Sequence, residues 1–279
     1  DATGTATITP ADVDGGSNDA CGIASLAIDI DTFTCDADLG PNDVLLTVTD
    51  VNGNVSTCIA VVTVIDNIDP VIACPADIAV NTDPSVCFAE VTFPDALALD
   101  NCTVTVAQTG GLPSGSMFPV GVNTVTYTAT DSSGNTAVCS FTITVTDNEP
   151  PMAVCQDITI QLDANGDAMI TPADVDGGST DNCGVASTSI DIDTFDCSDV
   201  GPNNVTLTVT DVNGNVSTCI AVVTVEDVTP PVAVCMDITV QLDPTGTVTI
   251  LGSDVAGAST DACGIASYDL DIDTFDCSN

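Results

Sequence analysis

The chain has 279 residues, of which 41 are acidic and none is Lys, Arg or His, so its formal net charge is −41. A chain without cationic side chains lacks the groups that bind nucleic-acid phosphates or an anionic membrane surface, which excludes both as partners. Hydrophobic residues make up 44% of the chain, too many for a disordered acidic tail, and no apolar run is long enough to cross a membrane.

The acidic residues are almost all aspartate, which predicts a fold rich in turns. Glu90, Glu149 and Glu226 are the three glutamates, so the other 38 acidic residues are Asp, which favours turns over helices. Much of the remainder is Val, Thr and Ile, which favour strands. The composition therefore predicts an all-β protein whose self-repulsion is relieved by salt, a bound divalent cation or an extended shape.

Recurring segments divide the chain into repeats. "ITPADVDGGS" at 8–17 returns at 170–179, and "PVIAC", "PMAVC" and "PVAVC" begin at 70, 151 and 231. These intervals predict two whole repeats, 70–150 and 151–230, between a partial repeat at 1–69 that lacks its first strand and one at 231–279 that lacks its last strands. We expect a window on a longer array, the alternative being strand exchange between neighbouring chains.

Within a repeat, short strand patterns follow one another in close succession. In the repeat 151–230 they are "DITIQL", "DAMITP", "ASTSIDI", "VTLTVT" and "TCIAVVTV". This spacing predicts an immunoglobulin-like β-sandwich of about seven strands. The last two strands form a hairpin through "DVNGN", where Asn213 and Gly214 tolerate a positive φ. The hairpin sequence "TVTDVNGNVSTCIAVVTV" occurs identically at 47–64 and 208–225.

The repeat 70–150 resembles a hyalin repeat (HYR) domain. The matching segments are "DPVIACPADIAV", "DNC", "FPVGVNTVTYTATDSSGN" and "CSFTITVTDNEPP", in this order. The other repeats resemble divergent relatives in giant surface proteins of Bacteroidetes, among them adhesins used in gliding motility, but they lack the "FPVG" element. The resemblance implies an immunoglobulin-like extracellular module with an adhesive or structural role and no catalytic residues.

Fourteen cysteines occur without any histidine and without a Cys-x-x-Cys pair, which favours disulfides over a zinc site. Disulfides in turn indicate a secreted or cell-surface protein. Each whole repeat has three cysteines at constant positions and a fourth that moves, Cys87 in one repeat and Cys197 in the other.

Two pairing schemes remain open. The closed scheme pairs Cys74–Cys139, Cys87–Cys102, Cys155–Cys219 and Cys183–Cys197. The linked scheme pairs Cys21–Cys58, Cys102–Cys139 and Cys183–Cys219 within repeats, and Cys35–Cys74, Cys87–Cys155 and Cys197–Cys235 between them, with Cys263 and Cys277 awaiting later residues. We favour the linked scheme because it explains why the fourth cysteine moves between strands but never disappears. Each bridge would contribute roughly 2–4 kcal/mol.

Three kinds of acidic cluster recur, and each contains candidate calcium ligands. The hairpin turns contain Asp50, Asn52, Asn54, Asp131, Asn135, Asp211, Asn213 and Asn215. The loops before the "DNC" or "DAC" cysteine contain Asp12, Asp14, Asp19, Asp174, Asp176, Asp181, Asp254 and Asp261. The repeat junctions contain Asp66, Asp69, Asp147, Glu149, Glu226 and Asp227.

Calcium takes six to eight oxygen ligands of the kinds that these clusters supply. The predicted topology places each junction beside the loop and hairpin turn of the following repeat, with Asp147 and Glu149 facing Asp181 and Asp211. Ca²⁺ is therefore the cofactor we expect, and it would stiffen the array and offset the repulsion. The alternative is that Asp, Asn and Gly serve turns without any metal.

The residue types argue against an enzyme, because the chain has no His or Lys base and every acidic pair recurs along the array. A catalytic site is built once, whereas a structural role predicts the copying that is seen. We therefore expect the shaft of an extracellular filament or adhesin, whose partners are neighbouring repeats or copies of the same protein. The alternative is a calcium-dependent module that binds a ligand or carbohydrate. Such a module needs a distinct binding tip, usually rich in aromatic residues, and the sequence contains none.

Overall fold

Alternating apolar and polar residues give the chain its strands, as in the stretch "VTYTATD" whose Val125, Tyr127 and Ala129 are buried. The computed structural model describes residues 2–278, with 47% strand and 5% helix, which confirms the all-β class. Among these residues, no helix is long or apolar enough to span a membrane. The chain divides into two compact units, one ending at Asp147 and the other beginning at Asn148.

The first unit contains thirteen strands and one helical turn. They are β1 (Thr5–Thr7), α1 (Pro10–Val13), β2 (Ile23–Ile28), β3 (Thr32–Thr34), β4 (Gly40–Asp50), β5 (Val55–Val64), β6 (Val71–Ala73), β7 (Ile78–Asn81), β8 (Phe88–Val91), β9 (Leu97–Leu99), β10 (Val104–Gly110), β11 (Ser116–Pro119), β12 (Gly121–Asp131) and β13 (Thr136–Thr146). It includes the partial repeat 1–69 and nearly all of the repeat that follows it.

The second unit contains eight strands and three short helical segments. They are β14 (Ile158–Gln161), β15 (Ala168–Met169), α2 (Pro172–Val175), β16 (Val185–Ile190), β17 (Thr194–Phe195), a 3-10 turn (Cys197–Asp199), β18 (Gly201–Asp211), β19 (Val216–Glu226), β20 (Thr247–Thr249), α3 (Gly252–Val255) and β21 (Thr274–Asp276).

The second repeat is a β-sandwich. Its main sheet has the order β10-β12-β13-β7, in which β7 is parallel to β13, and it packs against the small pairs β6–β9 and β8–β11. Phe93 lies in the core with its ring edge-on to the rings of Phe118 and Phe141, at centroid distances of 6.2 and 5.1 Å. The third repeat has the corresponding sheet β14-β19-β18-β16 around a core that contains Phe195 and Leu207.

The closing hairpins of the first three repeats are built as the sequence predicts, with one difference in the turn. In the third repeat β18 and β19 are joined at Asp211–Asn215, where the Asp211 N–H donates to the carbonyl of Asn215 at 3.0 Å. Gly214 has a φ of +94°, but Asn213 does not have a positive φ, so the turn requires a single left-handed residue, which is glycine.

Cystines of two kinds cross-link the repeats. Cys74–Cys139 and Cys155–Cys219 join the two sheets within a repeat, and Cys35–Cys102 and Cys197–Cys263 join a repeat to the one that follows. Cys87 and Cys183 are also disulfide-bonded. Cys21, Cys58, Cys235 and Cys277 are free and exposed.

These bridges correct the linked scheme that the sequence favoured. Six pairs are wrong: Cys21–Cys58, Cys102–Cys139, Cys183–Cys219, Cys35–Cys74, Cys87–Cys155 and Cys197–Cys235. Cys139 shares the inner face of β13 with Phe141, so it meets Cys74 across the core instead of the "DNC" loop. The fourth cysteine does reach the next repeat for Cys35 and Cys197, but its partner there is the "DNC" or "DAC" cysteine.

Candidate metal centre at a repeat junction

Three segments meet at one end of the second repeat. They are the linker that follows β5, the "DNC" loop between β9 and β10, and the turn between β12 and β13. The Asn135 side-chain amide connects the turn to the linker, because Nδ2 donates to the carbonyl oxygens of Asp66 and Ile68 at 3.2 and 3.3 Å. We call Asp66, Asp100, Asn101, Asp131 and Asn135 the junction site.

Asp131 anchors the junction site and is 7% exposed. Its Oδ1 accepts the backbone N–H groups of Ser133 and Asn135 at 2.9 and 2.8 Å, and its Oδ2 accepts Asn135 Nδ2 at 2.8 Å. Burial by itself raises the pKa of this carboxyl, but the hydrogen bonds from Asn135 and Ser133 outweigh it and lower the pKa. Asp131 is therefore a buried anion at neutral pH.

The linker and the "DNC" loop contribute further oxygens. Asp66 and Asp100 have carboxylate oxygens within 4.8 Å of one another and of Cys102 Sγ, which is in a cystine and so is not a thiolate ligand. Asn101 Nδ2 donates to Asp66 Oδ1 at 3.2 Å, and the Cys102 N–H donates to Asp100 Oδ2 at 3.0 Å. These bonds hold the two carboxylates side by side.

Two oxygens of the junction site have no hydrogen-bond donor. Asp100 Oδ1 and Asn101 Oδ1 are both buried and unpartnered. A buried oxygen without a partner costs roughly 1–3 kcal/mol, and more when it carries charge. Clustered carboxylate and amide oxygens are hard ligands, and Ca²⁺ tolerates the irregular geometry that such a mixture offers. The residues of the junction site therefore fit a calcium ion.

The second unit repeats part of this arrangement. Asp181 and Asp211 have carboxylate oxygens within 4.8 Å of each other, and Asp181 Oδ1 is buried without a donor. Asp211 is 2% exposed, and hydrogen bonds from Asn215 lower its pKa despite the opposing effect of burial. Asn215 Nδ2 donates to the carbonyl of Glu149 at 3.2 Å, as Asn135 Nδ2 donates to the carbonyl of Ile68 at the corresponding position.

Several predicted ligands serve local structure instead. Asp174 accepts the N–H and hydroxyl of Thr171 at the start of α2, and Asp176 accepts the N–H and hydroxyl of Ser179. Asp50 forms the turn bonds with Asn52 and Asn54 on an exposed hairpin. Of the remaining candidates, Asp69 and Glu226 are exposed, Asn213 lies on the exposed part of its turn, Asp227 accepts the Thr229 N–H, and the buried Asp147 accepts the Thr82 hydroxyl.

Asp100 and Asn101 were missed by the sequence reasoning, although they supply the two unpartnered oxygens. The signal was present, because "DNC" occurs at 100–102 and at 181–183. The predicted ligands of this loop were acidic residues in the other repeats. They therefore did not include Asp100, and they included no Asn before the cysteine.

Comparison with known proteins shows which families and relatives the chain is similar to. Residues 65–145 match the HYR domain model. A "Sushi, von Willebrand factor type A, EGF and pentraxin domain-containing protein 1" from Rattus norvegicus is 44% identical over 85 residues, 30% of this chain and 2% of that protein. "Hyalin" from Lytechinus variegatus is 32% identical over 185 residues, 63% of this chain and 34% of that protein. The chain therefore contains HYR-like repeats, and it spans at most about a third of these relatives' lengths.

Solved structures of cadherins show a weaker likeness. A protocadherin gammaB7 EC3-6 cis-dimer is 18% identical with a TM-score of 0.33, covering 77% of this chain and 64% of its own. Mouse cadherin-23 EC22-24 is 14% identical with a TM-score of 0.33, covering 71% and 78%. Likenesses of this size do not bear on function.

Proposed function

We propose that this chain is a non-enzymatic structural shaft of an extracellular, adhesion-type protein, made rigid by cystines and by calcium at its repeat junctions. The observation that carries the proposal is the cystine that joins one repeat to the next, Cys35–Cys102 in the first unit and Cys197–Cys263 in the second. A bridge between repeats restrains bending at the junction, which a linker alone does not do.

The cystines within repeats support the same role. Cys74–Cys139 and Cys155–Cys219 enclose 65 and 64 residues, so each spans nearly a whole repeat. A chain under tension cannot extend through a closed cystine loop. The repeats are therefore protected against mechanical unfolding, which suits a shaft that transmits force between a surface and a more distant binding region.

Calcium would complete the junction. Asp66, Asp100 and Asp131 bring three carboxyl groups to one end of a repeat in a chain that has no basic residue to neutralise them. A divalent cation held by Asp66, Asp100 and Asn101 would satisfy the two unpartnered oxygens and tie the linker to the "DNC" loop. The same cation would reduce the repulsion between neighbouring repeats.

Copies of the protein and neighbouring repeats are the partners that this role requires. The match to HYR and the likeness to "Hyalin" support an extracellular location, as do the cystines. The second and third repeats each contain a closing hairpin and a cystine between their sheets, and a role in cell adhesion would depend on the array and not on any one repeat.

Pulling on single molecules tests the mechanical part of this proposal. The oxidised chain should extend little under force. Reduction should lengthen it by up to roughly 220 Å for each whole repeat, because a residue adds at most about 3.5 Å when extended. The variant C35S/C102S keeps the bridge within the second repeat and should unlock the first junction alone. An oxidised chain that extends as far as the reduced chain would contradict the proposal.

A further inference from the structure

One loop of the second repeat contacts both the junction site and the cystine that joins the repeats. The loop 100–103 follows β9, and its Asp100 and Asn101 supply the two unpartnered oxygens of the junction site. The next residue, Cys102, forms the cystine with Cys35 of the first repeat. The metal-binding position and the cross-link are therefore adjacent in sequence, and a change at one is transmitted to the other through a single peptide bond.

The first repeat holds this loop by more than the cystine. The Thr103 N–H donates to Asp36 Oδ1 at 2.8 Å, beside Cys35. Gly4 approaches the loop so closely that a Cβ at this position would clash with the Asn101 carbonyl oxygen. The loop is thus seated on the first repeat, and the cystine is the covalent part of that contact.

The sulfur of Cys102 also lies against the linker that follows β5. Cys102 Sγ is 2.8 Å from Asp66 Oδ2, and the Asn101 side-chain amide donates to Asp66 Oδ1 at 3.2 Å. Two thiols cannot approach as closely as two bonded sulfur atoms, so reduction of the cystine must move at least one sulfur. A shift of Cys102 would push against Asp66 and separate its carboxylate from that of Asp100, whose oxygen lies within 4.8 Å.

We infer that calcium binding at the junction site and the Cys35–Cys102 cystine are thermodynamically coupled, so that the redox state of this cystine regulates the affinity of the site. The inference rests on the proposed function, because the cation is the one proposed there. The cystine holds Asp66 and Asp100 together against their mutual repulsion, and a prearranged site binds more tightly. Coupling is reciprocal, so the bound cation must stabilise the cystine by the same factor.

Reduction is the step that opens this link. Two glutathione thiols give two electrons and two protons to the cystine, its S–S bond breaks, Cys35 and Cys102 become thiols, and one glutathione disulfide forms. The loop and the first repeat then keep noncovalent contacts such as those of Gly4 and Asp36. We expect calcium to bind the reduced junction about 5–150-fold more weakly, the range in which couplings between sites usually fall.

The redox equilibrium of the full chain tests the inference. To prevent disulfide exchange, serine replaces the four free cysteines, which are Cys21, Cys58, Cys235 and Cys277. The chain is equilibrated with glutathione buffers in calcium or in chelator at matched ionic strength, and its thiols are then alkylated and mapped by mass spectrometry. Calcium should shift the equilibrium of Cys35–Cys102 toward the cystine by about 5–150-fold.

The cystine Cys74–Cys139 is the internal control. Its cysteines pack against the core of the same repeat and lie outside the junction site. Calcium should therefore shift the redox equilibrium of this cystine much less. Equal shifts of the two cystines would show that calcium protects the repeat as a whole, and they would overturn the inference.

Two substitutions locate the coupling. D100N keeps an oxygen that accepts the Cys102 N–H but removes a charge from the junction site, so it should abolish the effect of calcium on Cys35–Cys102. D50N changes the exposed hairpin of the first repeat and should leave that effect unaltered. A D100N chain that retains the full effect would contradict the coupling.

The reciprocal measurement is the calcium affinity. The variant C35S/C102S imitates the reduced junction, and D181N in both chains removes the corresponding carboxylate of the third repeat. Calorimetric titration should give a ratio of affinities that equals the shift measured for the cystine. A ratio of one, with a melting temperature that still rises in calcium, would overturn the coupling and leave the proposed function intact. A chain that binds no calcium in either state would overturn both.

Discussion

Asp131 and Asp50 make the same hydrogen bonds in the same kind of turn, yet their surroundings differ. Each accepts two backbone N–H groups and one Asn amide. Asp131 is 7% exposed and shares Asn135 with the linker of the preceding repeat, whereas Asp50 lies on the exposed hairpin of the first repeat. Asp50 therefore shows the hydrogen bonds that the turn alone needs, and Asp131 shows the burial and contacts that the junction adds.

D131N should therefore destabilise the chain more than D50N does. An amide at position 131 places a donor against donors in a buried site, which costs about 1–3 kcal/mol. The change should also weaken the calcium response, which D50N should leave unaltered. Chemical denaturation of both variants with and without calcium measures these differences. If the two substitutions had equal effects, Asp131 would serve only its turn and not the junction site.

Gly166 shows how one residue controls the approach of two repeats. It has a φ of +85°, and a Cβ there would lie 2.7 Å from Cys197 Sγ, near Cys263 of the following repeat. Gly214 also has a positive φ, but a Cβ there would meet nothing within 4 Å.

G166A should consequently do more damage than G214A. G214A should cost about 1–2 kcal/mol for the left-handed backbone alone. G166A adds a clash with the cystine that joins the repeats, so Cys197 and Cys263 should become reactive towards thiol reagents. Thermal unfolding and thiol counting on both variants provide the measurement. If both variants have similar melting temperatures and Cys197 and Cys263 stay unreactive in both, the junction accommodates an added methyl group and the prediction is wrong.

At the scale of the element, alternation in the sequence was enough to place the longer strands. β14, β16, β18 and β19 all fall on the predicted segments, because each has one buried face. The helical turn α2 was missed, although Thr171, Pro172 and Asp174 form an N-terminal capping pattern. Four residues are too few to show a helical period, so the capping pattern was the sole available signal.

The cystines and the residues of the candidate metal centre were harder to predict because they depend on which ends of elements meet. The strand pattern shows that Cys139 lies on an inner face, but it does not show that Cys74 lies opposite on the other sheet. Asp100 and Asp66 come together across 34 positions of sequence and a repeat boundary. Local patterns do not encode such pairs, whereas the recurrence of "DNC" could have identified Asp100.

Asp174 caps the helical turn α2 and is not part of the junction site. Its carboxylate accepts the Thr171 N–H at 2.6 Å and the Thr171 hydroxyl at 2.7 Å, which begins α2. D174A should lower the melting temperature slightly, because the cap is lost, and should leave the calcium-dependent change intact. Calorimetric unfolding with and without calcium checks this. A lost calcium response would return Asp174 to the set of metal ligands.

At the scale of the whole molecule, charge and cross-links act together. A net charge of −41 without any cationic side chain opposes compaction, and the cystines close the repeats against it. The first three repeats each contribute one closing hairpin, and each described junction within a unit contributes a bridge to the following repeat. In the shaft that we propose, rigidity would arise because the same kind of bridge recurs along the chain.

The central claim is that calcium at the junctions stabilises the repeats. Thermal unfolding of the full chain with calcium and with chelator, at matched ionic strength, tests it most directly, with magnesium as the control cation. At 100 times the Kd, each site should add about 2.7 kcal/mol, or roughly 5–10 °C in melting temperature. The rise should disappear in D100N/D181N, which keeps the loop hydrogen bonds but removes the two charges. Equal melting temperatures in calcium and chelator would contradict the claim.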